Sequence, residues 1–286
     1  MRFRWIQQHE QEFELAMMCR TLRVSRSGYY AWRKRPISGR GSRRRQLISH
    51  IRRAHAQSRQ LYGSPRVHAQ LKAQNIAVSR NTVAKYMRQE SIRSRIKRRF
   101  RVMTTDARHD HPIASNVLKR DFAADAPDRK WCCDITYVPT DQGWLYLAAV
   151  IDCCSRKIVG WAMADHLRTE LCLDALEMAI QRRRPGDGLI HHSDRGVQYA
   201  CDAYRWFLQR HQLTASMSRS GDCYDNAMME SFWGTLKREL VHQEHYATRE
   251  QARQSIFEYI EVFYNRRRRH SAIGYLSPES FEASLN

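Results

Sequence analysis

Trp131-Cys-Cys-Asp-Ile-Thr-Tyr-Val138 is an apolar, β-branched stretch with a single carboxylate, Asp134, inside it. Its residue types read as a strand, and a bare carboxylate there is costly unless charge or hydrogen bonds compensate it. Two more acids have comparable settings. Leu189-Ile-His-His-Ser-Asp194 ends an apolar run on an acid, and Asp225-Asn-Ala-Met-Met-Glu-Ser-Phe-Trp-Gly-Thr-Leu-Lys237 reads as a helix carrying Glu230. Three acids in one cleft repel unless cations separate them. Oxygen-only ligands, few per ion, suit magnesium, which keeps waters and takes substrate phosphates. Two such ions side by side clamp the attacking and leaving oxygens of a phosphodiester displacement. Asp134, Asp194 and Glu230 are therefore the candidate catalytic and metal-ligating residues, and nucleic-acid strand chemistry is the function they indicate.

The flanking pattern places these acids. Strand-like segments at 131–138, 143–153 and 157–164 are joined by short turns, with hairpin chemistry at Asp141-Gln-Gly143. Thr169 can cap a helix that runs to Arg183, and Leu189–His192 makes a fourth strand. A helix near Ala203–His211, a fifth strand at Leu213–Ser218 and the closing helix follow. The order is mixed α/β, three antiparallel strands leading into a parallel part. Strands one and four then lie side by side, bringing Asp134 and Asp194 together. On the closing helix Met229, Phe232, Leu236 and Leu240 form a core stripe, while Glu230 and Lys237, seven apart, share another face.

Charge is divided sharply along the chain. Residues 1–120 hold 29 Lys/Arg against 6 Asp/Glu, and residues 121–286 hold 20 against 23, for a net +20. A basic half on a near-neutral half is the footprint of a nucleic-acid arm on a catalytic body. Within the basic half, residues 1–45 form a first compact helix–turn–helix, with Ser25 as a cap, and 46–92 a second. In the second, Tyr62-Gly-Ser-Pro65 opens a helix and Ser79 caps the next. That last helix turns Val83 and Met87 inward and Arg80, Asn81, Lys85 and Arg88 outward, the layout of a recognition helix. A helical bundle with a solvated basic face is the blander reading. A basic linker over 93–124, with Lys97, Arg98 and Arg99, suits phosphate contacts that read no sequence. The catalytic core is expected at 125–242 and a helical basic tail at 243–286.

No segment has signal-peptide character and the longest apolar run, Trp144 to Ile151, is too short to span a bilayer. A cytosolic protein is expected. Adjacent cysteines on a strand face opposite sides, so Cys132-Cys133 and Cys153-Cys154 read as small buried hydrophobes rather than a zinc clip.

Taken together, WCCDITYV around Asp134, HHSDRGVQYA around Asp194 and SRSGDCYDNAMMESFWGTLKREL around Glu230 resemble the catalytic (OrfB-type) transposases of bacterial insertion sequences. These carry a retroviral-integrase-like DDE core with a ribonuclease-H-like fold. The 35 residues between Asp194 and Glu230, and Lys237 two turns beyond, match that pattern. So do Tyr62-Gly-Ser-Pro-Arg66 and Phe263-Tyr-Asn-Arg-Arg-Arg-Arg-His270. The resemblance implies a five-stranded mixed sheet with flanking helices, preceded by all-α helix–turn–helix modules. It implies cleavage of double-stranded DNA at terminal inverted repeats and strand transfer into target DNA. It also implies two Mg2+ ions, which Mn2+ can replace, a homo-oligomer on DNA, and an upstream OrfA-type partner or frameshift fusion. Asp134 and Asp194 would bridge the ions and Glu230 would complete the second site.

Secondary roles follow from position. Lys237 is placed to hold phosphate beside the metals, and the Arg266–Arg269 run, including Arg266 and Arg267, to meet DNA or a second protomer. Asp152 reads as structural, Asp225 or Asn226 as a helix cap, Asn226 also as a residue facing DNA, and His192 and Ser193 as orienting Asp194. A nuclease that cuts without joining, and a DNA-binding regulator with an inert catalytic body, are the alternatives.

Overall fold

The computed structural model describes residues 1–34, 38–95, 111–219 and 223–285. The chain divides into two compact units, Met1–Arg53 and Ala54–Asn286. In the first, α1 (Arg2–Gln8), α2 (Leu15–Thr21) and α3 (Arg26–Lys34) bury Ile6, Met18, Cys19 and Tyr29 against one another. Helix α1 was not foreseen, because its sequence shows little beyond basic and aromatic residues. Ser25 Oγ accepts the Gly28 amide at 3.0 Å and so caps α3, and Glu10 ties the bundle by accepting from Tyr29 and Arg33.

Helix α4 (Gly39–Gln57) leads into the second unit, where α5 (Ser64–Ala73) and α6 (Arg80–Gln89) follow. Pro65 sits at the start of α5, and Ser79 Oγ accepts the Thr82 amide at 3.2 Å to cap α6. Val67, Leu71, Val83 and Met87 are buried, while Arg80, Asn81, Lys85 and Arg88 are exposed.

Five strands follow: β1 (Lys130–Thr140), β2 (Gly143–Asp152), β3 (Ile158–Ala164), β4 (Ile190–Ser193) and β5 (Thr214–Met217). They form one sheet in the order β3-β2-β1-β4-β5. The first three are antiparallel, and β4 runs parallel to β1 and β5. The hairpin closes at Thr140–Gly143, where Gly143 has a φ of +98°, a conformation that favours glycine.

Helices α7 (Thr169–Arg183), α8 (Val197–Ala200) and α9 (Asp202–Arg210) cover one face. Arg168, not Thr169, is the residue that precedes α7; the Thr169 hydroxyl instead meets Cys201 Sγ at 3.4 Å. Gly160 lets α7 approach β3: a Cβ there would lie 2.1 Å from the Ala175 carbonyl oxygen. The other face receives α10 (Ala227–Glu239) and α11 (Arg249–Phe257). Helix α11 runs on as a π-helical segment, Glu258–Tyr264, before α12 (Pro278–Ala283) ends the fold. No described helix is long and apolar enough to cross a membrane.

Candidate active site

Strand register accounts for the first pairing of acids. Residues Lys130, Trp131 and Cys132 lie opposite Ile190, His191 and His192. Continued two residues along parallel strands, that register sets Asp194 level with Asp134, and alternation sends both side chains to the face carrying α10. The other face takes their neighbours: His191 Nε2 lies 2.9 Å from Cys133 Sγ and 3.0 Å from the Tyr204 hydroxyl. Burial pushes His191 down to about 3, so this layer is neutral.

Glu230 comes from the first turn of α10, the end a helix dipole favours for an acid. Asn226 fixes that end of α10 to β1 by donating from Nδ2 to the Cys133 carbonyl at 3.0 Å. One turn beyond Glu230, the Trp233 indole donates to Asp134 Oδ2 at 3.0 Å. The Ile135 amide donates to Asp134 Oδ1 at 2.8 Å, and the Gly196 amide to Asp194 Oδ1 at 2.9 Å.

These donors do not neutralise the site. Asp134 is pushed up to about 8, by burial first and then by the negative charges of Asp194 and Glu230, against the Ile135 and Trp233 hydrogen bonds. That mutual repulsion places the three acids in one electrostatic neighbourhood. Among the described residues, no three His, Cys, Asp or Glu side chains already close around a point where one ion could touch all of them. An all-carboxylate donor set with excess negative charge fits a hard divalent cation that retains water ligands. Lys237 stands beside the acids, its ammonium 5.0 Å from the Tyr137 ring centroid. Burial lowers its pKa and Asp134 draws it back up.

Several secondary assignments change. Asp225 is not a helix cap: its fully buried carboxylate accepts from Arg219, Arg120 and Asn116 at 2.8–2.9 Å. Hydrogen bonds from Arg219 hold it far below the usual carboxylate range. Asn226 precedes α10 without a side-chain cap bond and is buried, so it faces the strand rather than DNA. His192 does not touch Asp194; it pairs with Ser216 and Ser218 at 2.9 and 3.1 Å. The Ser193 hydroxyl donates to the Asp194 carbonyl, not its carboxylate. Asp152 keeps its structural reading: it is buried and accepts from the Asp128 and Ser155 amides, holding the β2–β3 turn.

The arginine run divides. Arg266 and Arg267 are exposed, but Arg268 is buried on Glu239 with two bonds of 2.8 Å. Arg269 turns to Gln70 and the Tyr275 carbonyl, at 2.7 and 2.8 Å. The exposed cations of α6 are separate from the acids in the chain, and Lys97, Arg98 and Arg99 lie outside the described residues. Trp233 was missed, although its position three residues after Glu230 on a helix was a usable signal.

Comparison with known proteins agrees with this architecture. Models of an integrase core domain match residues 124–223 and 230–284, and an HTH-like domain model matches 42–100. The chain is 45% identical to the transposase InsF for insertion sequence IS3A of Escherichia coli (strain K12), over 99% of this chain and 98% of the relative. An IS600 uncharacterized 31 kDa protein of Shigella sonnei is also 45% identical, covering 92% of this chain and 97% of that one. Among solved structures, the simian T-cell lymphotropic virus intasome aligns at 11% identity with a TM-score of 0.48, covering 81% of this chain and 74% of its own. The HTLV-2 integrase catalytic core domain in complex with magnesium aligns at 12% identity and a TM-score of 0.44, over 56% and 99%. With nearly its whole length matched at 45% identity, the chain belongs to the family of IS3-type insertion-sequence transposases, enzymes built on an integrase core.

Proposed function

We propose that this transposase cleaves DNA at the terminal inverted repeats of its element and joins the exposed 3′-hydroxyl to target DNA at one carboxylate site. The observation that carries the reading is the register that sets Asp134 on β1 level with Asp194 beyond β4, beneath the first turns of α10 that carry Glu230 and bind Asp134 through Trp233. Asp134 and Asp194 would bridge two divalent ions, Mg2+ or Mn2+, and Glu230 would complete the second position. Ions held there supply Lewis-acid stabilisation of the attacking and leaving oxygens. The chain's own groups do the rest. Trp233 and the Ile135 amide keep the Asp134 carboxylate turned toward the acids it faces. Lys237 holds a DNA phosphate at the edge of the site, and water and then the DNA hydroxyl serve as nucleophiles. Arg80, Asn81, Lys85 and Arg88 on α6 engage duplex DNA, assisted by Lys97, Arg98, Arg99, Arg266 and Arg267. DNA affinity from such cations falls steeply with salt. The active species is a homo-oligomer on DNA, joined by an upstream OrfA-type partner or fused to one.

Labelled inverted-repeat ends incubated with target duplex test the reading. Supplied with its upstream OrfA-type partner, the parent chain yields nicked and joined products, and Asp194→Asn yields neither while retaining DNA affinity. Hydrolysis without joined products from the parent would favour a plain nuclease. Equal turnover by parent and variant would remove Asp194 from the chemistry.

A further inference from the structure

The face of α10 turned away from the acids borders a second feature. A cavity of about 370 Å³ opens beside the helix, lined by Arg66, Arg156, Arg238, Arg268, Glu239 and His270 together with hydroxyls and apolar groups. At roughly 100° of rotation per residue, Ser231, Thr235 and Arg238 stand about a third of a turn from Glu230 and Lys237. The cavity is thus adjacent to the catalytic face of the same helix but distinct from it.

Its charges do not balance. Four guanidinium groups share one carboxylate, and that carboxylate is already taken. Glu239 accepts two bonds from Arg268 and one from the Tyr259 hydroxyl, all at 2.8 Å, with Arg66 further off at 3.7 Å. Arg238 spends its Nε on the Gly234 carbonyl, and Arg156 rests an Nη on the Met228 sulfur. Neither Arg156 nor Arg238 has an acidic partner among the described residues. The Nε of Arg156 is buried and without a hydrogen-bond partner, so the protein does not saturate this guanidinium. The surrounding field is strongly positive: burial, then Arg268, Arg66 and Arg156, push His270 down to about 2. A neutral imidazole among arginines leaves room for an anion with several acceptor oxygens. Guanidinium forks favour phosphate geometry, and Ser231 and Ser271 add hydroxyls in reach of the same space.

We propose that this cavity is a phosphate-binding site that seats one backbone phosphodiester of the bound DNA, gripped by Arg156 and Arg238 about a third of a turn around α10 from the metal-ligating acids. The DNA part rests on the transposase reading above; the anion part does not. Seating a phosphate there would fix the course of the strand over the exposed edge formed by Glu230 and Ser231.

The test uses the full chain in EDTA, so that no strand is cut. First, inorganic phosphate is titrated against chloride at matched ionic strength and the shift in melting temperature is read. The parent gains stability with phosphate, Arg238→Gln and Arg156→Gln lose most of that gain, and Arg156→Lys keeps part of it. Equal phosphate stabilisation of parent and both glutamine variants overturns the site. Second, element-end duplexes carrying a single neutral methylphosphonate at successive positions are bound to parent and Arg238→Gln. One position should weaken the parent by about tenfold and leave the variant nearly unaffected, because the lost contact is the same. If every position weakens both proteins alike, DNA does not occupy the cavity. The phosphate titration distinguishes that result from failure of the transposase reading, since it requires no DNA. In the parent the scan changes only the ligand, so a position-specific loss there does not depend on how well a variant folds.

Discussion

Acids at the two ends of α10 and acids on its catalytic face are treated in opposite ways. Asp225, just before the helix, and Glu239, in its last turn, are buried and saturated with arginine donors, and both are held below the ordinary carboxylate range. Glu239 lies at the helix end where a negative charge is disfavoured, so its stability depends on Arg268. Asp134 receives only neutral donors and faces two more acids, and it is pushed up to about 8. The fold pairs the carboxylates that hold α10 in place with arginines and gives Asp134, which α10 helps to position, hydrogen bonds from neutral donors.

The largest expected effect lies on the compensated side. Arg268→Ala strands Glu239 in the interior, and breaking a buried pair in this way costs about 3–5 kcal/mol. Chemical unfolding followed by intrinsic tryptophan fluorescence should show that loss; a change within experimental error would mean that Glu239 is satisfied without Arg268. The uncompensated side should respond with the opposite sign. Asp134→Asn removes a carboxyl that the fold keeps only by holding a proton or bearing repulsion, so the metal-free variant should gain on the order of 1–2 kcal/mol while losing cleavage, as acids kept for function tend to cost stability. A destabilised Asp134→Asn protein would show that repulsion is not the dominant feature of the site.

A smaller effect separates the two groups by pH in the absence of divalent ions. Asp225 and Glu239 have folded values below their unfolded ones. Their contribution is present above about pH 4.5 and is lost as pH falls further. Asp134 has a folded value above its unfolded one. Its contribution is complete below about pH 4 and is lost as pH rises through about 8. Metal-free stability should therefore decline toward alkaline pH by at most about 1.4 kcal/mol per pH unit from this group, and Asp134→Asn should flatten that limb while leaving the acid limb in place. An alkaline limb of equal slope in both proteins would assign it elsewhere.

How much of this was legible depended on the range of the interaction involved. Patterns local to the chain were readable: the alternation around Asp134, the turn at Asp141-Gln-Gly143, the Ser79 cap and the buried stripe Met229, Phe232, Leu236 and Leu240. Asp225 and Asn226 have the composition of a helix cap, yet apart from Arg219 their partners Asn116, Arg120 and Cys133 lie about a hundred residues away in sequence. No local pattern encodes such contacts. His192 sits two residues from Asp194 and shares its side of β4, but the serines of β5 and its end engage both of its ring nitrogens. The four consecutive arginines looked like one basic stripe. The π-helical segment before them widens the helical period, and the turn that follows sends Arg268 and Arg269 inward while Arg266 and Arg267 remain outside.

The most direct measurement is Mn2+ binding by electron paramagnetic resonance, on the parent and on Asp194→Asn, each bound to an uncleavable element-end duplex. The parent should hold a pair of ions close enough to couple magnetically, as a two-ion clamp requires, and Asp194→Asn should lose the coupled signal. Uncoupled manganese in the parent, or the same spectrum from both proteins, would contradict the assignment of Asp134, Asp194 and Glu230 as one metal site.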